Sequence, residues 1–83
     1  MRFLAQNSLL SPLNEYRLVS SWPEVAGERI ASLTRDIYIR SGVLYVKLKS
    51  PAMRSDLMMR RSELVRQLNG NVGASVIADI VFL

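Results

Sequence analysis

Tyr38 and Tyr45 stand close in the chain with basic side chains interleaved around them: Arg40, Lys47 and Lys49. Flat aromatic rings stack on bases and cations meet phosphates, and together these hold a single nucleic-acid strand without reading its sequence. For these side chains to act as one surface, the chain must fold back on itself between them. Residues 36–49 supply that fold: Asp36-Ile37-Tyr38-Ile39-Arg40, then Ser41-Gly42, then Val43-Leu44-Tyr45-Val46-Lys47-Leu48-Lys49. Both arms alternate with period 2, and a two-residue turn ending in glycine sets the register of a β-hairpin. Arg40 then pairs with Val43, Ile39 with Leu44, Tyr38 with Tyr45, Ile37 with Val46 and Asp36 with Lys47. Ile37, Ile39, Leu44, Val46 and Leu48 share the face that needs apolar cover. Tyr38, Arg40, Tyr45, Lys47 and Lys49 share the other. The blander reading of that second face is a solvated sheet surface, since tyrosine favours strands and Asp36 and Asp79 dilute the charge.

Other chemistries find little support. The chain has no cysteine and no histidine, which removes disulfides, thiol catalysis and the usual zinc ligands. There is no pair of acids at suggestive spacing and no phosphate loop, so an enzyme is not expected and no cofactor or metal is implied. Gly70-Asn71-Val72-Gly73 spells the GxxG of a nucleic-acid clamp, but that motif joins two helices, whereas here it precedes the last strand; it reads as a helix cap. A second basic group, Arg54, Arg60, Arg61 and Arg66, falls on one helix: Arg54 and Arg61 are seven apart, with Arg60 adjacent. These arginines suit phosphates or an acidic partner, against the default of a solvated helix face.

With 83 residues the chain is one domain. At that length only about 60% of the unfolded surface is buried, close to the lower limit of self-sufficiency. Hydrophobic content of 49% and charged content of 22% are those of a folded protein. The net charge of +4 is compatible with a nucleic-acid partner without requiring one. No apolar run approaches the ~18 residues of a membrane span. The N-terminal residues lack a signal peptide's apolar core, so a cytoplasmic location is expected.

The remaining elements can be read as cover for the hairpin. Residues 1–12 read as a short helix or as an arm, whose Phe3, Leu4, Leu9 and Leu10 pack on their own domain or, if exposed, suit self-association; Ser11-Pro12 interrupts the pattern as a helix cap and first turn. From Leu13 to Leu33 the apolar positions Leu18, Trp22, Val25, Ala26, Ile30 and Leu33 make a helical stripe. It runs through Pro23, where a kink or restart capped by Ser20 or Ser21 is expected. Trp22 belongs to the core, Glu24, Glu28 and Arg29 to solvent, and Gly27 suits a close approach to the sheet. Ser50 caps a second helix, with Pro51 at its first position, that runs to about Asn69. Met53, Leu57, Leu64 and Leu68 form its inner stripe, flanked by Met58 and Val65. Arg60 or Arg61 must border that stripe, and Asp56 pairs with Arg60 along the helix. Residues 75–83 make a third strand with Ala78, Ile80 and Phe82 inward and Ile77, Asp79 and Val81 outward. The fold class is α+β in the order α-β-β-α-β, a three-stranded sheet with two helices packed on one face, residues 13–83 forming the single domain.

Order and spacing over roughly residues 14–83 resemble the DciA-like family. The residues that carry this are Trp22-Pro23-Glu24-Val25-Ala26-Gly27, Ile30-Ala31, Ser41-Gly42-Val43-Leu44-Tyr45-Val46, Ser50-Pro51-Ala52-Met53, Leu57, Leu64-Val65-Arg66-Gln67-Leu68-Asn69 and Ile80-Val81-Phe82. The resemblance implies a KH-like domain of a bacterial protein that associates with the replicative DNA helicase and helps load it on DNA. Many members add a disordered tail, and a role resting on such a tail is not expected of residues that close on Phe82-Leu83. The favoured reading is an accessory module that contacts the helicase and binds single-stranded DNA weakly through Tyr38, Arg40, Tyr45, Lys47 and Lys49, with Arg54, Arg60 and Arg61 as the second group. The alternatives are a protein-interaction or self-assembly module, and an RNA-binding accessory factor.

Overall fold

The helical stripe expected between Leu13 and Leu33 is present but cut twice. The computed structural model describes residues 12–83, and in it residues 12–20 form α1, Trp22–Ala26 form α2 and Glu28–Ser32 form α3. The arm over residues 1–11, including the Ser11 cap, lies outside the described residues. The first cut falls where proline cannot donate to the helix ladder, and α2 restarts with Pro23 in its first turn. Ser21 occupies the cap position, but its hydroxyl turns back to the Leu18 carbonyl (2.8 Å) and caps nothing. The second cut is Gly27, whose φ of 99° is left-handed. A Cβ there would meet no heavy atom within 4 Å. Gly27 therefore serves to break the helix, and the close approach to the sheet is not made. Most of the stripe survives both cuts: Leu18, Trp22 and Ile30 are buried and Val25 and Ala26 pack against them, while Leu33 is half-buried and does not join the core.

Trp22 is core, 2% exposed, with its ring centroid 6.4 Å from that of Phe82. Its indole N–H donates to the Thr34 hydroxyl (3.0 Å), which donates in turn to the Ile30 carbonyl (2.9 Å). One threonine thus ties α2, α3 and the first strand together with no polar atom left over.

Thr34–Arg40 (β1) and Val43–Leu48 (β2) form the hairpin in the expected register, Asp36 against Lys47 through Arg40 against Val43. The turn uses φ of 53° at Ser41 and 75° at Gly42, the twist that suits a two-residue hairpin. A bulge between Thr34 and Asp36 inserts one residue and resets the alternation. Arg35 and Asp36 both stay exposed, while Thr34 returns to the Trp22 side. Leu44 and Val46 are fully buried, and Ile37, Ile39 and Leu48 pack against the core.

The second helix is also two. Ala52–Met59 is α4 and Arg61–Val72 is α5, with Arg60 between them at φ −98°, ψ 10°. In an unbroken helix an arginine would border the apolar stripe; the break lets Leu57 and Leu64 both be fully buried while Arg60 stays exposed. Arg60 leaves the helix register, so the expected ion pair with Asp56 is not formed. Ser50 gives no side-chain cap: Pro51 stands in the cap position and α4 begins at Ala52. Met53 and Val65 pack on the core, whereas Met58 is exposed. The helix runs past Asn69 to Val72, where Gly73 at φ 84° and ψ 22° closes it, its N–H bonding the Asn69 carbonyl (2.8 Å). Gly70 lies inside the helix, in keeping with the cap reading of the GxxG.

The last strand is shorter than expected. Asp79–Phe82 (β3) pairs parallel to β2, giving a three-stranded sheet in the order β1-β2-β3. Ile77 is buried and Ala78 exposed, the reverse of the expected alternation. The cause is Asn69, whose side-chain oxygen accepts from the N–H groups of Val76 (2.9 Å) and Ile77 (3.1 Å) while its amide donates to the Ile77 carbonyl (2.8 Å). This bracket holds the chain out of strand geometry and turns Ile77 inward. From Asp79 onward the alternation is as expected, with Ile80 and Phe82 inward. The α+β class thus holds, with each expected helix broken and one sheet face covered. Among the described residues no helix is long and apolar enough to cross a membrane.

Candidate nucleic-acid interface

The uncovered sheet face is set by the hairpin register. Tyr38 of β1 faces Tyr45 of β2, which faces Val81 of β3. The two tyrosine rings stack with centroids 5.2 Å apart and planes 16° apart, an offset aromatic pair of the kind that adds to area burial. Each ring therefore uses one face on the other. Tyr45 is in the central strand with Val81 beyond it; Tyr38 is in an edge strand, so its outer face is the one open to a planar ligand.

Alternation puts Arg40 on the same side as Tyr38, and Val43 and Lys47 on the same side as Tyr45. Arg40 and Lys47 are both exposed. They lie at opposite ends of the tyrosine pair, a spacing along which a phosphate backbone could run. Asp36 is opposite Lys47 in register yet forms no ion pair with it. Lys49 lies just past β2; its backbone N–H bonds the Leu33 carbonyl (2.7 Å), which fixes its position at the end of the sheet, and its side chain is exposed.

The second basic group is spread over two helices and the break between them. Arg54 lies on α4 and Arg61 on α5, with Arg60 at the break. Arg61 is committed elsewhere: its Nε lies 3.1 Å from the Asp79 carboxylate at the start of β3. Both partners are about half exposed, so the pair is worth at most a fraction of about 1 kcal/mol. It neutralises the acid that would otherwise dilute the open face near Val43. Arg54 on α4 and Arg60 at the α4–α5 break are exposed, on the side of the sheet opposite the tyrosines. The residues singled out in the sequence thus divide into a sheet-face set, Tyr38, Arg40, Tyr45, Lys47 and Lys49, and a helix-side set, Arg54, Arg60 and Arg61.

Two contributors escaped the sequence reading. Arg35 is freed for the surface only by the bulge, which no residue pattern announces. Met59 is 87% exposed beside Arg60 and exposed Met58; two residues past Leu57, it falls on the side of α4 away from the apolar stripe. Among the described residues no charged or polar side chain is buried, and no group of His, Cys, Asp and Glu is placed to hold a metal ion.

A protein-family model described as "Dna[CI] antecedent, DciA" matches residues 1–82. No curated protein matches the chain.

Proposed function

The chain belongs to the DciA family, and from that premise we propose that it is a non-enzymatic accessory module of bacterial DNA replication. In this reading it has a KH-like fold, contacts the replicative helicase and holds single-stranded DNA weakly on its open sheet face. The helicase contact rests on family membership. The nucleic-acid contact rests on one observation, the stacked Tyr38–Tyr45 pair standing on an uncovered face between Arg40 and Lys47. Stacking tolerates any base, and exposed cations track phosphates, so affinity without sequence preference is the consequence.

The test is fluorescence anisotropy of a labelled single-stranded oligonucleotide at low and moderate salt. Binding should weaken with salt as counterion release requires. Tyr38→Ala, which removes the open ring face, should weaken binding by about 1–3 kcal/mol per base stacked and by more than Tyr45→Ala. Lys47→Ala should weaken it less and flatten the salt dependence. Binding untouched by these changes but lost in an Arg54→Ala, Arg60→Ala variant would move the site to the helix side. RNA competing as well as DNA would make the module an RNA binder.

A second reading has its own observation. Met59 and Met58 are apolar, exposed and adjacent to Arg60 at the α4–α5 break. Methionine is adaptable at protein contacts, and this corner suits a protein partner. Met59→Glu should weaken helicase capture and leave oligonucleotide binding unchanged if the two contacts lie on opposite sides of the sheet.

A further inference from the structure

The outer edge of β1 carries a pattern complementary to itself. With the strand order β1-β2-β3, β1 is an edge strand, and among the described residues no strand covers it. Which backbone groups it offers follows from the hydrogen bonds of its neighbour. Val46 accepts from the Leu83 N–H (2.8 Å) and Leu48 donates to the Leu83 carbonyl (3.1 Å), so these residues of β2 point to the β3 side. Val43, Tyr45 and Lys47 must then bond toward β1, to Arg40, Tyr38 and Asp36. That leaves the N–H and C=O of Ile37 and Ile39 directed away from the sheet. The Ile37 N–H confirms the direction, since its acceptor is the neighbouring Asp36 carboxylate (2.9 Å) and not a strand.

We propose that β1 pairs antiparallel with β1 of a second copy of this chain, about a two-fold axis at Tyr38. In that register Ile37 exchanges backbone hydrogen bonds with Ile39 of the second copy, and the reverse, so every outward group between them is satisfied. Asp36 falls opposite Arg40 of the second copy, and Arg40 opposite its Asp36. Both are exposed, and neither has an ion-pair partner among the described residues. The Asp36 carboxylate, released from the Ile37 N–H, turns to the guanidinium. Isoleucine meets isoleucine on the covered side and tyrosine meets tyrosine on the open side, so apolar and charged positions match together. The neighbouring registers use the same backbone groups without that match. An axis at Ile37 sets Asp36 against Tyr38 of the second copy, and an axis at Ile39 sets it against Gly42. Charge complementarity thus picks both the occupant and the register. The product is a continuous sheet of both copies, and no nucleic acid is required for it.

Sedimentation equilibrium of the chain alone, at low salt and across about 10 µM to 1 mM, tests this, because so small a contact is expected to be weak. The mass should climb from 9.4 kDa toward twice that value. Asp36→Arg and Arg40→Glu, both at exposed positions, should each raise the dissociation constant about tenfold or more, by setting like charges opposite each other twice. Mixed in equal amounts, the two variants should associate again, since every reversed charge then faces its opposite. Amide exchange at Ile37 and Ile39 should slow as concentration rises. A wild type of single-chain mass throughout would overturn the proposal and make Asp36 a guard against edge pairing. Variants that associate as tightly as wild type, a mixture no tighter than its components, or protection on β3 in place of β1 would overturn it equally.

Discussion

Asn69 shows how much one side chain can decide. It closes the last turn of α5 through its backbone carbonyl and brackets the following loop through its amide, meeting both N–H groups and one carbonyl at Val76 and Ile77. Truncation to alanine leaves three polar backbone groups to find water in a half-buried place, and each such loss costs about 1–3 kcal/mol where water cannot enter. Asn69→Ala should therefore lower the unfolding free energy by about 2 kcal/mol, read as a urea midpoint shift at constant slope. A shift within a few tenths would mean that the buried Ile77 side chain alone sets the loop. The sequence marks Asn69 as a helix-end residue, which is only half of its role. Its other half depends on contacts with residues seven and eight positions on, a distance at which no local pattern reports.

Elements were legible where one rule fixed them and illegible where two rules competed. The hairpin register follows from alternation and a two-residue turn, and every pair from Asp36–Lys47 to Arg40–Val43 stands as read. That is why the tyrosine pair could be placed from sequence, although the stacking of its rings could not. Helix bounds were another matter, because apolar periodicity passes through a break unchanged: Leu57 and Leu64 keep a helical spacing on either side of Arg60. The bulge at Arg35 and the bracket at Ile77 shift strand parity for the same reason, one residue of slip being invisible to composition. Gly27 was legible as special but for the wrong cause. Its conformation, φ 99° and ψ 153°, rather than its size, is what the fold uses. Gly27→Ala should accordingly destabilise by about 1 kcal/mol or more despite the better helix propensity of alanine, measured by thermal or urea unfolding. A stabilised variant would show that α2 and α3 can fuse, and that the break is not required to seat both Trp22 and Ile30.

At the scale of the whole molecule, the open sheet face and the β1 edge meet at one ring. The inner face of Tyr38 is taken by Tyr45, and its outer face is the one that the proposed function assigns to a base. Pairing about Tyr38 would bring the same ring of a second copy against that outer face. Strand binding and self-pairing then exclude each other, and linkage makes the exclusion reciprocal: each must weaken the other by the same factor. A short oligonucleotide added to concentrated protein should shift the sedimenting mass toward one chain per strand. In the other direction, Asp36→Arg should bind that oligonucleotide more tightly than wild type at protein concentrations where wild type is paired. The added positive charge must be separated from the loss of pairing. Repeating the titration well below the dissociation constant of the pair does this, since any advantage persisting there is electrostatic alone. Two chains retained per short strand would show that the paired sheet itself holds nucleic acid, with bases lying across ring edges, and the outer face of Tyr38 would then belong to the second copy.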